Sequence, residues 1–335
     1  MAKTITLQEL KPGDIVLYSP PPGKDAWESW LICFFTGSPV SHTAMIDSNP
    51  GYAVQEIPGG ATVCPLPDPG TRTVYVRRLE GEPDTSEVLK IAMKYVDEKL
   101  PYPMSNLIFL GMYILASDFL PNTATGLMIE CALKAVCYVL MEFINKHFHP
   151  GTSAPPMVCS QFAAACYDEA AITIDPKYKI YYNKDVSTVS NLIHKMIDQL
   201  TEEEKEKMYE IEMEEGGLQV GAVAGQNYAE QLAKAIQEQQ NSNLITAPGK
   251  ISEGLIKTFY QYGKCMLKLL KNIDYPDKKQ ATSEEIINLL KELLAIQEAF
   301  ISPGDLLSHT TNLMDMGELV YTAEEIAPYW NRNEN

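Results

Sequence analysis

Alternating apolar and polar positions, rich in β-branched residues and bounded by Gly, Pro and Asn, predict short strands at Asp14–Tyr18, Thr43–Asp47, Ala53–Ile57 and Thr73–Arg78. Helical patterns fall between them. Trp27–Thr36 is an apolar run closed by Gly37, and Ser86–Leu100 places Val88, Leu89, Ala92, Met93, Val96 and Leu100 on one stripe that Pro101 ends. The order of strand, helix, several strands and helix predicts an α+β fold with a small antiparallel sheet packed on helices.

The pattern changes twice further on. Residues 104–146 form a hydrophobic helical insert made of two stretches, Leu107–Ala116 and Gly126–Ile144. The first is too short to span a bilayer, which takes about 20 apolar residues. The second carries Glu130, Lys134, Tyr138 and Glu142 at steps of four, a narrow polar stripe on a helix that its own protein would otherwise bury. A lid, a membrane-surface contact or a partner surface through 107–144 is the alternative. From residue 201 the chain reads as an acidic helical region. Eight of the fourteen residues Glu202–Glu215 are acidic, which predicts a solvated helix face. Gly216, Gly217, Gly221 and Gly225 then make a loop that matches no phosphate-binding spacing. Ala281–Phe300 is the clearest helix, with Thr282 and Glu285 as a capping box. The division this predicts is a domain over 1–200 and a helical region over 201–335.

Charge narrows the partners. The formal charge is −17, of which −6 falls in residues 1–200 and −11 in 201–335. No basic cluster reverses it, so phosphate backbones are repelled and no nucleic-acid partner is expected. The seven cysteines are scattered at 33, 64, 131, 137, 159, 166 and 265, unlike a disulfide framework. With an N-terminus that lacks the apolar core of a secretory signal, a reducing, cytoplasmic setting is expected.

A thiolate is the strongest nucleophile such a chain offers, and one cysteine sits where a thiolate would be stabilised. Cys159 follows Pro155-Pro156 and opens the helix-forming stretch SQFAAACYDEA. There a helix dipole and free N–H groups favour the anion, and the Cys159 N–H can donate to an oxyanion. Cys33 and Cys166 read as core residues. A base must come from histidines 42, 147, 149, 194 or 309. His194 lies in an amphipathic helix and His309 in a polar loop. His147 and His149, with Cys131 and Cys137, do not match zinc spacing, so no metal is expected. His42 opens a strand that turns at Ser48-Asn49-Pro50-Gly51 and returns through Gln55 and Glu56. An odd-length loop sets Glu56 opposite His42, and a slip of one residue exchanges Glu56 for Gln55.

Several of these segments resemble a known family. WLICFFTGSPVSHTAMI at 30–46, AVQEI at 53–57, MVCSQFAAACY at 157–167 and the opening LKPGDIVLY are similar to the circularly permuted NlpC-type papain-fold hydrolases of the YiiX/YaeF kind, in which histidine precedes cysteine. The likeness covers residues 8–105 and 150–195. It implies a permuted papain-like core with Cys159 as nucleophile, His42 as base and Glu56 as the orienting residue. It further implies a cysteine hydrolase that cleaves an amide of a peptide or peptidoglycan-like substrate through a thioester, without a cofactor. The 104–146 insert and the acidic helical region depart from the family pattern. They leave room for a lipid acyl hydrolase or acyltransferase using the same residues, with the insert as lid, and for a non-catalytic protein-binding module.

Overall fold

The computed structural model describes residues 3–23, 27–57, 60–98, 159–183, 192–202, 207–211, 250–276, 279–297 and 301–330, with position 234 and part of a helical stretch between 126 and 144. In chain order its elements are β1 (Thr4–Thr6), β2 (Ile15–Tyr18), α1 (Trp27–Thr36), β3 (His42–Ile46), β4 (Tyr52–Ile57), β5 (Gly60–Pro65), β6 (Val74–Leu79) and α2 (Ser86–Glu98). There follow α3 (Cys159–Thr173), α4 (Leu192–Glu202), β7 (Met208–Glu210), α5 (Glu253–Lys271), β8 (Gln280–Thr282), α6 (Ser283–Gln297), α7 (Pro303–Ser308), β9 (Leu313–Val320) and α8 (Ala323–Trp330). The architecture is α+β.

Seven strands form one sheet in the order β1-β9-β6-β2-β3-β4-β5, antiparallel except for the β1–β9 pair. The four strands read from alternation are all in it, with the helix over Trp27–Thr36 between the first two of them and that over Ser86–Glu98 after the last. One face buries Val16, Tyr18, Ala44, Ile46, Ala53, Val74 and Val76 with Leu319 and Ile326. Side chains alternate across a strand, so Leu17, Thr43, Met45, Val54 and Glu56 face the other side. There α3 packs against β3, β4 and α2.

The division at residue 200 is corrected. The chain forms two compact units, one from residues 1–105, 156–186 and 300–335, the other from 106–155 and 187–299. Residues beyond 300 therefore belong with the N-terminal sheet, to which they contribute β9. That strand escapes the alternation test because Asp315, Gly317 and Glu318 interrupt LMDMGELV. The interruption is a bulge: Val76 pairs with Gly317 and Arg77 with Asp315, leaving Met316 extra. Gly317 sits at φ +98°, and a Cβ there would lie 2.2 Å from the Lys3 carbonyl oxygen, so the close parallel pairing with β1 requires glycine.

In the second unit the predicted capping box is present: the Thr282 N–H donates to Glu285 Oε2 at 2.9 Å and the Glu285 N–H to Thr282 Oγ1 at 3.2 Å. Helix α6 lies against α5 so closely that a Cβ on Gly263 would meet Leu289 and Leu293 within 2.6 Å. The solvated helix expected over 202–215 is corrected at Met208–Glu210, a strand paired with β8 whose Tyr209 is fully buried. One buried aromatic outweighs the charged helix formers around it. The glycine-rich stretch 216–225 and the apolar run 107–116 lie outside the described residues. Of the second apolar stretch, Ile129, Leu133, Cys137 and Leu140 are buried, while Lys134 is exposed and pairs with Glu130 at 2.7 Å. In the same stretch Leu127 and Met141 are exposed, so the described part of 107–144 buries some of its apolar residues and leaves others at the surface. Among the described residues no helix is long and apolar enough to cross a membrane.

One buried polar cluster fastens the first unit. Asp14, 2% exposed, accepts from Arg78 Nε and Nη2, both at 2.7 Å, and Arg78 Nη2 also donates to the Glu9 carbonyl. Beside it the Gly13 carbonyl accepts from the Tyr167 hydroxyl on α3 at 2.6 Å, and the Gly13 N–H donates to the Ile46 carbonyl at 2.8 Å. Replacing Arg78 by Met leaves the Asp14 carboxylate buried and unpaired and should cost about 3–5 kcal/mol in urea unfolding. Adding Asp14→Leu to that variant should recover much of the loss; no recovery would mean that the pair is not what the site's stability turns on.

Candidate active site

The end of β2 and the start of β3 lie side by side in the middle of the sheet. Tyr18 is the last residue of β2, His42 the first of β3, and the two are register partners whose rings stack at 5.7 Å and 22°. Cys159 is the first residue of α3 and is 5% exposed. The recorded β3–β4 pairs are Met45 with Val54 and Ile46 with Ala53, so the ladder stops short of His42. The backbone N–H of Thr43, beyond that ladder, hydrogen-bonds the Cys159 sulfur, as do the N–H groups of Ser160 and of Cys159 itself. A helix start and a parting of two strands thereby place the thiol against the residue that follows His42.

The orienting residue is where the structure departs from expectation. His42 Nε2 lies 2.6 Å from Gln55 Oε1. The β3–β4 turn holds four residues, Ser48–Gly51, between the Asp47 N–H and Tyr52 carbonyl, which bond at 3.0 Å. An even loop puts Gln55 on the His42 face and Glu56 on the α3 face. The place expected for Glu56 beside the imidazole is therefore taken by Gln55. The turn signal at Ser48–Gly51 was readable; its length parity was not.

Glu56 is 6% exposed, and its carboxyl makes no hydrogen bond with any described residue. Burial pushes its carboxyl up to about 8, and its charge would oppose ionisation of Cys159 and Cys166. Ser41 Oγ and Thr43 Oγ1, on either side of His42, are also buried without a partner among the described residues. Unpartnered polar groups concentrated at one spot mark a place not built for stability alone.

Burial holds the Cys159 thiol up at about 11, against the lowering effect of its three backbone donors. Burial likewise lowers His42 to about 4, an effect that the Gln55 hydrogen bond opposes and the Arg72 charge reinforces. The pair accordingly rests as neutral thiol and neutral imidazole. Because Gln55 Oε1 accepts at Nε2, the ring's proton sits there and Nδ1 stays free to take another. Arg72 escaped notice in the sequence because nothing in ATVCPLPDPGTRTV marks it. Its Nε donates to the Ser19 carbonyl at 2.6 Å and its guanidinium lies 5.1 Å from the Tyr18 ring centroid.

The other candidates disperse. Cys166 is fully buried, as a core residue should be, whereas Cys33 is only half-buried, its thiol pushed up to about 11 by burial. His309 caps α7 and bonds Asp305 at 3.0 Å, and His194 lies on α4. His147 and His149 lie outside the described residues. No group of three metal-ligating side chains occurs among the described ones. No model of a known protein family matches the chain, and no curated protein does.

The unpaired Glu56 has a measurable consequence. Its unfolded value is 4.5 and its folded value about 8, so across that window the folded chain keeps a proton that the unfolded chain has lost. Stability contributed by this group falls as pH rises from 4.5 to about 8. Glu56→Gln should therefore melt higher than the parent at pH 7, with a difference that grows across the window. A constant difference, or a less stable variant, would show that the carboxyl is solvated or paired.

Proposed function

We propose that this chain is a cysteine hydrolase of permuted papain-like architecture that cleaves an amide in a peptide or peptidoglycan-like substrate. The observation that carries this reading is that the sulfur of Cys159, the first described residue of α3, accepts from the N–H of Thr43, next to a strand-start histidine whose Nε2 is held by a side-chain amide. That arrangement corresponds in roles to a Cys-His-amide triad, recognised by geometry and not by sequence position. Cys159 is the nucleophile, His42 the base, and Gln55 the residue that orients it.

In the reaction His42 Nδ1 takes the thiol proton as the Cys159 sulfur bonds to the substrate carbonyl carbon. The oxygen becomes an oxyanion, for which the Cys159 N–H is a donor. The C–N bond then breaks, the amine leaves with the proton carried by His42, and a thioester remains. A water molecule gives its proton to His42 as its oxygen bonds to the same carbon. The C–S bond breaks, a carboxylic acid departs, and the sulfur regains its proton. With its pKa held near 11 the Cys159 thiol is protonated at rest, so the base acts during attack and not before it.

A p-nitrophenyl ester turned over by the full chain should leave an acyl group on the peptide that carries Cys159, read by mass spectrometry. Cys159→Ala should abolish turnover, and His42→Ala should lower it by about 10²–10⁴-fold. Gln55→Ala should cost about 10–100-fold through misplacement of the ring. Glu56→Gln, which replaces a group already neutral at pH 7, should retain activity. Undiminished turnover in Cys159→Ala, or an acyl group mapped elsewhere, would refute the assignment.

A further inference from the structure

Among the described residues Arg72 is a cation without a counter-ion. It is half-buried, no carboxylate pairs with it among the described residues, and its recorded hydrogen bond uses Nε alone. Its position is nevertheless built. Ser19 accepts from Arg72 Nε through its carbonyl at 2.6 Å, from the Thr73 N–H through its hydroxyl at 2.9 Å, and donates its own N–H to the Thr73 carbonyl at 2.9 Å. The guanidinium lies over the ring of Tyr18, which stacks on His42. One edge of the fork is thus fixed while its two terminal nitrogens, with four N–H donors, have no recorded acceptor.

The surroundings make this unusual. Arg72's charge acts on His42, Cys159 and Cys33. At pH 7 none of the three is charged, and Glu56, which acts on the same sulfur, is protonated as well. A partly desolvated charge is ordinarily paired, and the chain, at −17, has no shortage of carboxylates to pair it with. Leaving this one open provides a planar, bidentate receptor for an anion beside the nucleophile. A single guanidinium balances a single negative charge. A phosphate, carrying close to two, would leave an unbalanced anion in a site that already disfavours the Cys159 and Glu56 anions.

We propose that Arg72 binds a carboxylate of the substrate next to the scissile carbonyl, making the preferred acyl donor an acidic one. This rests on Cys159 being an accessible nucleophile, and the test separates the two ideas. Iodoacetate and iodoacetamide differ in a carboxylate against a neutral amide. Their alkylation rates at Cys159, read from the modified peptide of the full chain, are expressed as a ratio and compared with the same ratio for N-acetylcysteine.

The ratio at Cys159 should exceed that of the free thiol about tenfold, the scale of one charge-assisted pair, and should fall to the free-thiol value in Arg72→Gln. A purely structural Arg72, or one that only stabilises the thiolate, would change both rates together and leave the ratio at the free-thiol value. That outcome overturns the proposal while reactive Cys159 keeps the hydrolase reading. Failure of both reagents to modify Cys159 overturns both. The parent ratio alone decides the matter if Arg72→Gln does not fold, since it needs no variant.

Discussion

Asp14 and Arg78 form the joint from which the candidate site is hung. Taking two charges out of water costs several kcal/mol per ion, and only good geometry with further hydrogen bonds offsets it. Here the pairing is bidentate, and the Lys11 N–H and the Glu9 carbonyl satisfy what remains. The carboxylate cannot leave this position without losing all of those partners. Gly13, immediately before it, is therefore held at φ +81°, with its N–H on β3 and its carbonyl on Tyr167 of α3. A Cβ at that glycine would also strike Thr85 at 2.5 Å. Three residues, Pro12-Gly13-Asp14, thereby tie β2, β3, β6 and α3 together.

The consequence is carried to the far end of the same elements. Tyr167 lies two helical turns from Cys159, and Ile46 is four residues from His42. With both fixed at the Gly13 turn, the start of α3 and the start of β3 have little freedom to move apart. Ser160 adds a second tether, donating its hydroxyl to the Ile301 carbonyl. The returning C-terminal stretch, through β9 and α8, closes the opposite face, where Tyr52 donates to the Trp330 carbonyl at 3.0 Å. Stability and site geometry come from the same contacts.

Much of this was legible beforehand, and what was not has identifiable causes. Cys159 as the opening residue of a helix followed from Pro155-Pro156 and the helix formers after it, and among the described residues α3 begins there. His42 at the head of a strand followed from alternation. Local patterns carry such information because propensity and period act over a few residues. Gln55 against Glu56 was a question of loop parity, settled by whether the turn closes around an odd or an even number of residues, and SNPG does not display that count. The strand Leu313–Val320 was hidden by the bulge that makes it fit. Arg72 was invisible because what distinguishes it is the lack of a carboxylate partner among the described residues, a property of the folded chain alone.

The exchange of Gln55 for Glu56 changes the electrostatics of the site. A carboxylate on the imidazole would raise its basicity and favour a resting ion pair with the thiol. A neutral amide orients the ring without supplying charge, and burial then keeps both partners neutral. The Glu56 carboxyl, turned instead toward α3, is too poorly solvated to ionise at pH 7 and so places no full negative charge beside the Cys159 sulfur. In the proposed reaction a charge that forms transiently finds the fixed charge of Arg72 and the backbone donors at Cys159 and Ser160. Electrostatic help of this kind is strong because water is scarce, and it is directional because the donors are already in place. The loop parity that the turn Ser48–Gly51 imposes thus determines which side chain holds the His42 ring, and with it the neutral state that His42 and the Cys159 thiol keep at rest.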